Sequence, residues 1–204
     1  MKLFGSPGSP FARKARIFIE EKRIPHEYVV ARGSEPGSPI PQYNPLAKVP
    51  TMALDNGKGL YDSAVIVEYL DGIGPGPKLI PEAFEDRIEV RRWEALADGV
   101  AESTVAINHD LREPKEKQHP AAWHARHQLK IDRGLATMEK DLGTNEFCFG
   151  GRFTLADISV GYALGYLDFA LPQFEWRGKH PAVARLAARL YARPSFAKSM
   201  PAKA

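Results

Sequence analysis

In this 204-residue chain, Asn44-Pro45-Leu46-Ala47-Lys48-Val49-Pro50-Thr51-Met52-Ala53-Leu54-Asp55-Asn56-Gly57-Lys58-Gly59-Leu60-Tyr61-Asp62-Ser63 joins an X–Pro step, a tight turn and a helix start in one segment. Asp55-Asn56-Gly57 is a strong hairpin signal, because Asn and Gly accept the positive φ that tight turns demand. Two short strand candidates flank it, residues 51–54 and 59–61. Val49 stands before a proline and reads as extended backbone, since the Pro50 ring crowds a helical predecessor. Asp62-Ser63 opens a helix over residues 63–70, with Ala64, Val67 and Tyr69 as packing candidates. An acidic or hydroxyl residue is an ordinary way to start one.

Toward the N-terminus, Lys2–Gly5 reads as a strand that ends in the turn-rich Ser6-Pro7-Gly8-Ser9-Pro10. Residues 11–22 carry helical periodicity through Phe11, Ala15, Phe18 and Ile19, and residues 28–30 form a second strand candidate. The order is β-α-β, a linking segment, then β-β-α, which calls for a small mixed sheet covered by helices.

Toward the C-terminus, Gly72-Ile73-Gly74-Pro75-Gly76-Pro77, with Pro81 beyond, reads as a domain connection. A phosphate-binding glycine loop would need a lysine-serine pair and a strand-loop-helix context, and neither is present. From residue 84 on the pattern is helical. A long helix covers residues 84–112, with apolar positions at Ile88, Trp93, Leu96, Val100 and Ile107. A charged loop with two prolines spans 113–120, and a second helix spans 121–142. Gly150-Gly151 precedes Thr154-Leu155-Ala156-Asp157, a capping-box start for a helix running to residue 171. A last helix, 181–191, stops before Pro194. The expected organisation is a mixed-sheet domain over 1–76, a linker over 77–83 and an all-helical domain over 84–204.

Composition narrows the function. The chain is 44% apolar and 26% charged, as folded globular proteins are, and its net charge is only +3. Arg13, Lys14 and Arg16 are offset by Glu20 and Glu21, so no nucleic-acid partner is expected. No run of about 18 apolar residues exists, so no membrane span is expected, and residues 1–20 lack a signal-peptide pattern. The cytoplasm is the expected compartment. Cys148 is the only cysteine, which excludes an internal disulfide; between Phe147 and Phe149 it reads as a buried small residue. His124 and His127 share a helix face near His119, but no acidic or cysteine partner stands at ligand spacing, so no metal is expected. There is no Gly-x-Ser-x-Gly elbow for a hydrolase triad.

Four local patterns occur in order: Ser9-Pro10-Phe11-Ala12-Arg13-Lys14 at the first strand-to-helix turn; Asn44 to Pro50 before the hairpin; Asp62-Ser63 after it; and Gly150-Gly151 through Asp157 in the second half. Together they resemble the soluble glutathione transferases, most of all small bacterial members, and the resemblance spans essentially the whole chain. It implies a thioredoxin-like domain followed by an all-helical one, arranged as a two-fold homodimer. Ser9 falls where the serine and cysteine classes contact the thiol of glutathione. Val49 matches the residue whose backbone pairs with the cysteinyl backbone, before a cis Pro50. Asp62 and Ser63 match the acidic-serine pair that receives the γ-glutamyl end, and Lys48 is a candidate for the glycyl carboxylate. Asp98 matches an acidic residue of the first long helix that, in some classes, reaches the partner subunit's glutathione. The resemblance also implies an electrophile site, expected to include Phe11, Ala12, Asn108 and Arg112.

Two departures carry information. Ala47 replaces a glycine common in that loop, and no tyrosine ends the first strand, which disfavours the tyrosine-dependent classes. Glutathione is expected as co-substrate, with no tightly bound cofactor. The leading reading is conjugation of glutathione, held as a thiolate at Ser9, to an apolar electrophile, a detoxification chemistry. Two alternatives stay open. One is glutathione-dependent reduction of a peroxide or disulfide, against which the absence of cysteine at position 9 counts. The other is non-catalytic or regulatory binding of glutathione or a hydrophobic ligand, which fold alone does not exclude.

Overall fold

Leu3 and Phe4, flanked by the turn-forming residues 6–10, form the buried strand β1 (Lys2–Gly5) of a four-stranded mixed sheet. The computed structural model describes residues 1–201. After β1 come α1 (Pro10–Lys22), β2 (Glu27–Val30), a short α2 (Ile40–Tyr43), β3 (Thr51–Ala53), β4 (Gly59–Leu60) and α3 (Ser63–Ile73). The strand order is β2-β1-β3-β4, with β1 parallel to β2 and antiparallel to β3, and β3 antiparallel to β4. This is the thioredoxin-like pattern. The predicted hairpin forms: the Leu54 N–H donates to the Lys58 carbonyl at 2.9 Å, and Gly57 takes φ +84° at the turn. The sequence pattern does not foretell α2, because four residues are too few to show a helical period.

The first compact unit comprises Met1–Ile80 together with the described residues from Pro194 onward. Two features depart from the sequence reading. Residues 77–80, expected as linker, are tied down by Asp71 on α3, whose carboxylate accepts from the Leu79 N–H at 2.9 Å and the Ile80 N–H at 3.3 Å. Lys22 joins them, with Nζ 3.0 Å from the Pro77 carbonyl and 3.4 Å from Asp71. Residues 194–201, expected in the helical domain, instead pack on α1. Pro194 starts a new short helix, α8 (Pro194–Ala197), because a proline that stops one helix is well suited to begin the next. The buried Arg13 donates to the Phe196 carbonyl at 3.4 Å and to Ser199 Oγ at 3.4 Å. Ser195 Oγ donates to Glu21 at 2.5 Å.

The second unit, Pro81–Arg193, is helical. It contains α4 (Phe84–Asp110), α5 (Ala121–Leu142), α6 (Leu155–Ala170) and α7 (Pro181–Tyr191), with a 3-10 turn at Lys115–Lys117. Residues 155–167 of α6 are buried on every side, as a central helix requires. Trp93, Val100 and Ile107 of α4 are buried as expected, while Ile88 is half exposed. α4 and α5 approach closely at Gly134, where an added Cβ would come within 2.4 Å of a Val100 methyl. The expected capping box is present: Asp157 accepts from the Thr154 N–H at 2.8 Å, and Thr154 caps α6. Cys148 is buried, and burial pushes its thiol well above the ordinary value. Among the described residues no helix is long and apolar enough to cross a membrane.

Candidate glutathione site

Strand register brings three loops to one end of the sheet. Phe4 pairs with Thr51 and Met52 pairs with Leu60. Residues 6–9, 48–50 and 61–63 therefore all leave the sheet at the end where β1 finishes, β3 begins and β4 finishes. The candidates Ser9, Lys48, Val49, Pro50, Asp62 and Ser63 all lie on these loops.

On the first loop, Ser9 is the N-cap of α1, and its Oγ accepts from the Ala12 N–H at 3.2 Å. A hydroxyl has one proton to donate, and no described residue accepts it. Pro10 occupies the first helical position, where a missing N–H costs nothing. The first turn of α1 carries no acidic residue, so its positive end is not neutralised locally. Phe11 is half-buried. Ala12, expected to line an electrophile site, is fully buried, with Gly5 packed so closely that a Cβ there would meet the Ala12 methyl at 2.9 Å. It belongs to the core.

The second loop is organised by a residue to which the sequence reading gives no role. Asn44 is buried; its amide donates to the Lys48 carbonyl at 3.1 Å and to Thr51 Oγ1 at 3.0 Å, and its oxygen accepts from the Leu46 N–H at 3.0 Å. Thr51 Oγ1 in turn donates to the Lys48 carbonyl at 2.7 Å. Between these anchors Ala47 sits at φ +53°, where glycine is the easier residue. Its carbonyl lies 1.7 Å from where a Cβ on residue 33 would be, so only Gly33 fits there. The Val49-Pro50 peptide is cis, as the resemblance implied, and Tyr61-Asp62 is cis as well. Val49 packs its side chain toward Phe4, Ala31, Ile40 and Ala53. Among the described residues no group bonds its backbone N–H or C=O. Lys48 is exposed and Pro50 buried.

On the third loop Asp62 is the N-cap of α3, with one carboxylate oxygen accepting from the Ala64 N–H at 3.1 Å and the side chain open to solvent. Ser63, the first helical residue, is buried. The three loops thus present a hydroxyl at one helix start, an unpaired stretch of extended backbone, and a carboxylate beside a hydroxyl at a second helix start.

In the helical unit, Asp98 is half-buried and accepts a short hydrogen bond from Tyr162, a fully buried residue of α6. Burial first, and then the Asp98 charge, push the Tyr162 hydroxyl well above its ordinary value, so it stays a donor. Asn108 is buried, its amide donating to the Tyr166 hydroxyl at 3.0 Å. Arg112, expected on the helix, lies in the tight turn past its end, where its N–H meets the His109 carbonyl at 3.1 Å. The histidines do have an acidic partner. Asp110 at the end of α4 meets His119 Nδ1 at 2.5 Å and His124 Nε2 at 2.7 Å, with Trp123 stacked on His119. Sequence reasoning misses Asp110 because a loop separates it from His119, with no spacing rule to connect them. It misses Tyr162 for a similar reason: this is one apolar-looking position on a helix that is apolar throughout.

Comparison with known proteins identifies the family to which this fold belongs. Residues 3–78 match the glutathione S-transferase N-terminal domain, and residues 121–189 match the glutathione S-transferase C-terminal domain. The chain is 34% identical over 211 residues, covering 100% of both chains, to YibF, an uncharacterized GST-like protein of Escherichia coli K12. It resembles a crystal structure of a glutathione S-transferase from Methylobacillus flagellatus with glutathione bound, at 42% identity and TM-score 0.94, covering 98% of this chain and 99% of that one. It also resembles a Methylobacterium radiotolerans glutathione S-transferase in complex with glutathione sulfonate, at 38% identity and TM-score 0.92, covering 100% and 95%. The chain belongs to the bacterial soluble glutathione S-transferase family and is an enzyme of that family.

Proposed function

We propose that this chain binds glutathione across the three loops, holds its thiol as a thiolate at Ser9 and transfers it to an apolar electrophile. The observation that carries the reading is the state of Ser9: its oxygen is committed to the Ala12 N–H while its proton is uncommitted, at the positive end of α1. A thiol of pKa about 8.5 is only a few per cent ionised at neutral pH. Lowering it by about two units requires roughly 2.7 kcal/mol of preference for the anion. A hydrogen bond to a charged group contributes about 1.5–3 kcal/mol, and a helix terminus adds about 0.3–1 kcal/mol. The two together suffice. Serine acts here as a donor to sulfur, being far too weak an acid to serve as a base.

The rest of glutathione has a natural place. The bonding groups of the Val49 backbone would pair with the cysteinyl backbone as an added strand does. The α-carboxylate of the γ-glutamyl end suits the start of α3 at Ser63, and its ammonium suits the Asp62 carboxylate. Lys48, exposed on the same loop, would take the glycyl carboxylate. Phe11, beside Ser9, offers an apolar surface to the electrophile. The working form in this reading is a cytoplasmic two-fold homodimer, in which Asp98, oriented by Tyr162, reaches the partner's glutathione. The Methylobacillus enzyme has glutathione bound in its crystal structure, which supports the same ligand here.

Ser9→Ala tests the central claim. The pH dependence of conjugation to a model electrophile, followed alongside thiolate absorbance of the bound glutathione, should show the thiol pKa raised by about one to two units. kcat/KM at neutral pH should fall about 10- to 100-fold. An unchanged pH profile and unchanged turnover would refute thiolate stabilisation by Ser9.

A further inference from the structure

Away from the residues of the three loops, the first unit holds a concavity of about 280 Å³ bounded by α1, the start of the edge strand β2 and the segment from Ser195 to Ser199. Its charged lining is Arg16 and Glu20 from α1, His26 from the turn before β2, and Lys198 from the segment after α8. Tyr28 forms part of the floor, and Ser195 and Ser199 close one wall. None of these residues takes part in the glutathione reading.

Arg16 is the informative member. Its guanidinium lies 4.6 Å from the centre of the Tyr28 ring, close enough to act on the Tyr28 hydroxyl, and it makes a long 3.5 Å hydrogen bond to the Lys198 carbonyl. No described carboxylate pairs with it. A guanidinium resting on an aromatic face uses its π surface there and keeps its in-plane N–H donors for an oxyanion. Beneath it the Tyr28 hydroxyl is sealed without a partner, and burial raises its pKa against the opposing pull of Arg16.

The other groups are similarly disposed. His26 Nδ1 lies 3.1 Å from the Ile24 carbonyl, which can only accept, so Nδ1 carries a proton, and Nε2 is left to donate to an anion when the ring is in its imidazolium form. Lys198 meets Glu20 at 3.4 Å, with the lysine largely and the glutamate partly exposed, so the pair is loose and easily exchanged. Ser195 and Ser199 spend their protons on Glu21 and on the Ser195 and Phe196 carbonyls, and act as wall rather than as donors. The cleft therefore brings an unpaired guanidinium, a loosely held ammonium and an available imidazole together from three separate segments. Donors arriving from three directions match a tetrahedral oxyanion better than a planar carboxylate. The volume, just below the roughly 300 Å³ where small-molecule sites begin, suits a compact ligand.

We propose that this cleft, formed by Arg16, His26 and Lys198, binds the phosphate group of a small phosphomonoester. The site is separate from the glutathione loops, so it gives the enzyme a second ligand.

The test is a titration of the isotope-labelled full chain with inorganic phosphate and with glycerol 3-phosphate. Backbone amide and His26 ring signals would be followed at ionic strength held constant with sodium chloride. Saturable shifts confined to residues 16, 26, 28 and 198–199 are expected, with a dissociation constant on the order of millimolar. Glycerol 3-phosphate should bind at least as tightly as inorganic phosphate. Arg16→Ala should weaken both about tenfold or more, with glutathione affinity unchanged. Glu20→Gln, a change at an exposed side chain that removes the competing anion, should tighten both about threefold, and it carries the test if Arg16→Ala does not fold. Shifts that do not saturate, binding of inorganic phosphate alone, an Arg16→Ala titration identical to that of the unaltered chain, or a Glu20→Gln variant that binds no more tightly would each overturn the proposal.

Discussion

Replacing Asn44 by alanine tests how the loop of the candidate glutathione site is held together. Asn44 is buried and makes three hydrogen bonds, to the Lys48 carbonyl, Thr51 Oγ1 and the Leu46 N–H. In Asn44→Ala the Lys48 carbonyl keeps its 2.7 Å bond from Thr51, but the Leu46 N–H loses its partner. At about 1 kcal/mol net for each bond the loss comes to about 3 kcal/mol. For a chain of this size that corresponds to a melting temperature lower by about 6–12 °C. The loop that presents Val49 would also have to be ordered by the ligand, so glutathione affinity should fall about tenfold, equivalent to about 1.4 kcal/mol. Thermal unfolding by circular dichroism and calorimetric titration with glutathione measure the two effects. Asn44→Asp should be worse than alanine, since a carboxylate would face the Lys48 carbonyl without a proton to offer it. A melting temperature within about 2 °C of the unaltered chain, with glutathione affinity within twofold, would refute the idea that Asn44 organises the loop.

Two further changes address other parts of the molecule. The Asp110 carboxyl is held below its ordinary value of 3.8, chiefly by the hydrogen bond from His119, with smaller help from the His119 backbone and His124. A depressed carboxyl contributes stability that is complete above the unfolded value and lost as pH falls through the folded one. Asp110→Asn should therefore flatten the dependence of stability on pH below about pH 4, as read from urea midpoints across that range; an equally steep acid limb in the variant would show that this carboxylate does not matter. Ala47→Gly relieves a positive φ and should raise stability by about 0.5–1 kcal/mol in urea unfolding, without harm to glutathione binding. A loss of stability there would mean that the entropy of the freer chain outweighs the strain.

The residues that announce themselves in the sequence are those whose effect is local. The Asp55-Asn56-Gly57 turn, the Pro10 helix start, the Thr154 to Asp157 capping box and the helices of 121–142 and 181–191 each depend on neighbours within a few positions, and each forms. What stays hidden depends on distance along the chain. His119 and His124 find Asp110 across a loop, and Tyr162 finds Asp98 from another helix. Arg13 finds a carbonyl 183 residues away. No period or spacing encodes such partners. The candidate glutathione residues are legible as a resemblance of motifs, while their convergence requires the sheet register. Asn44 lies inside the quoted motif, but its work is done by a buried side chain whose three partners only the folded loop supplies.

The return of residues 194–201 to the first unit has a consequence for how the protein is made. The ribosome produces the sheet and α1 early, then the whole helical unit, and only afterwards the segment that meets Arg13 and Glu21. At about 5–20 residues per second the first unit waits on the order of ten seconds with the part of α1 that meets α8 uncovered. The helical unit, continuous in sequence, can finish first. The part of the chain that is born earliest is thus the last to be completed, and a cut after Arg193 would leave it permanently in its nascent condition.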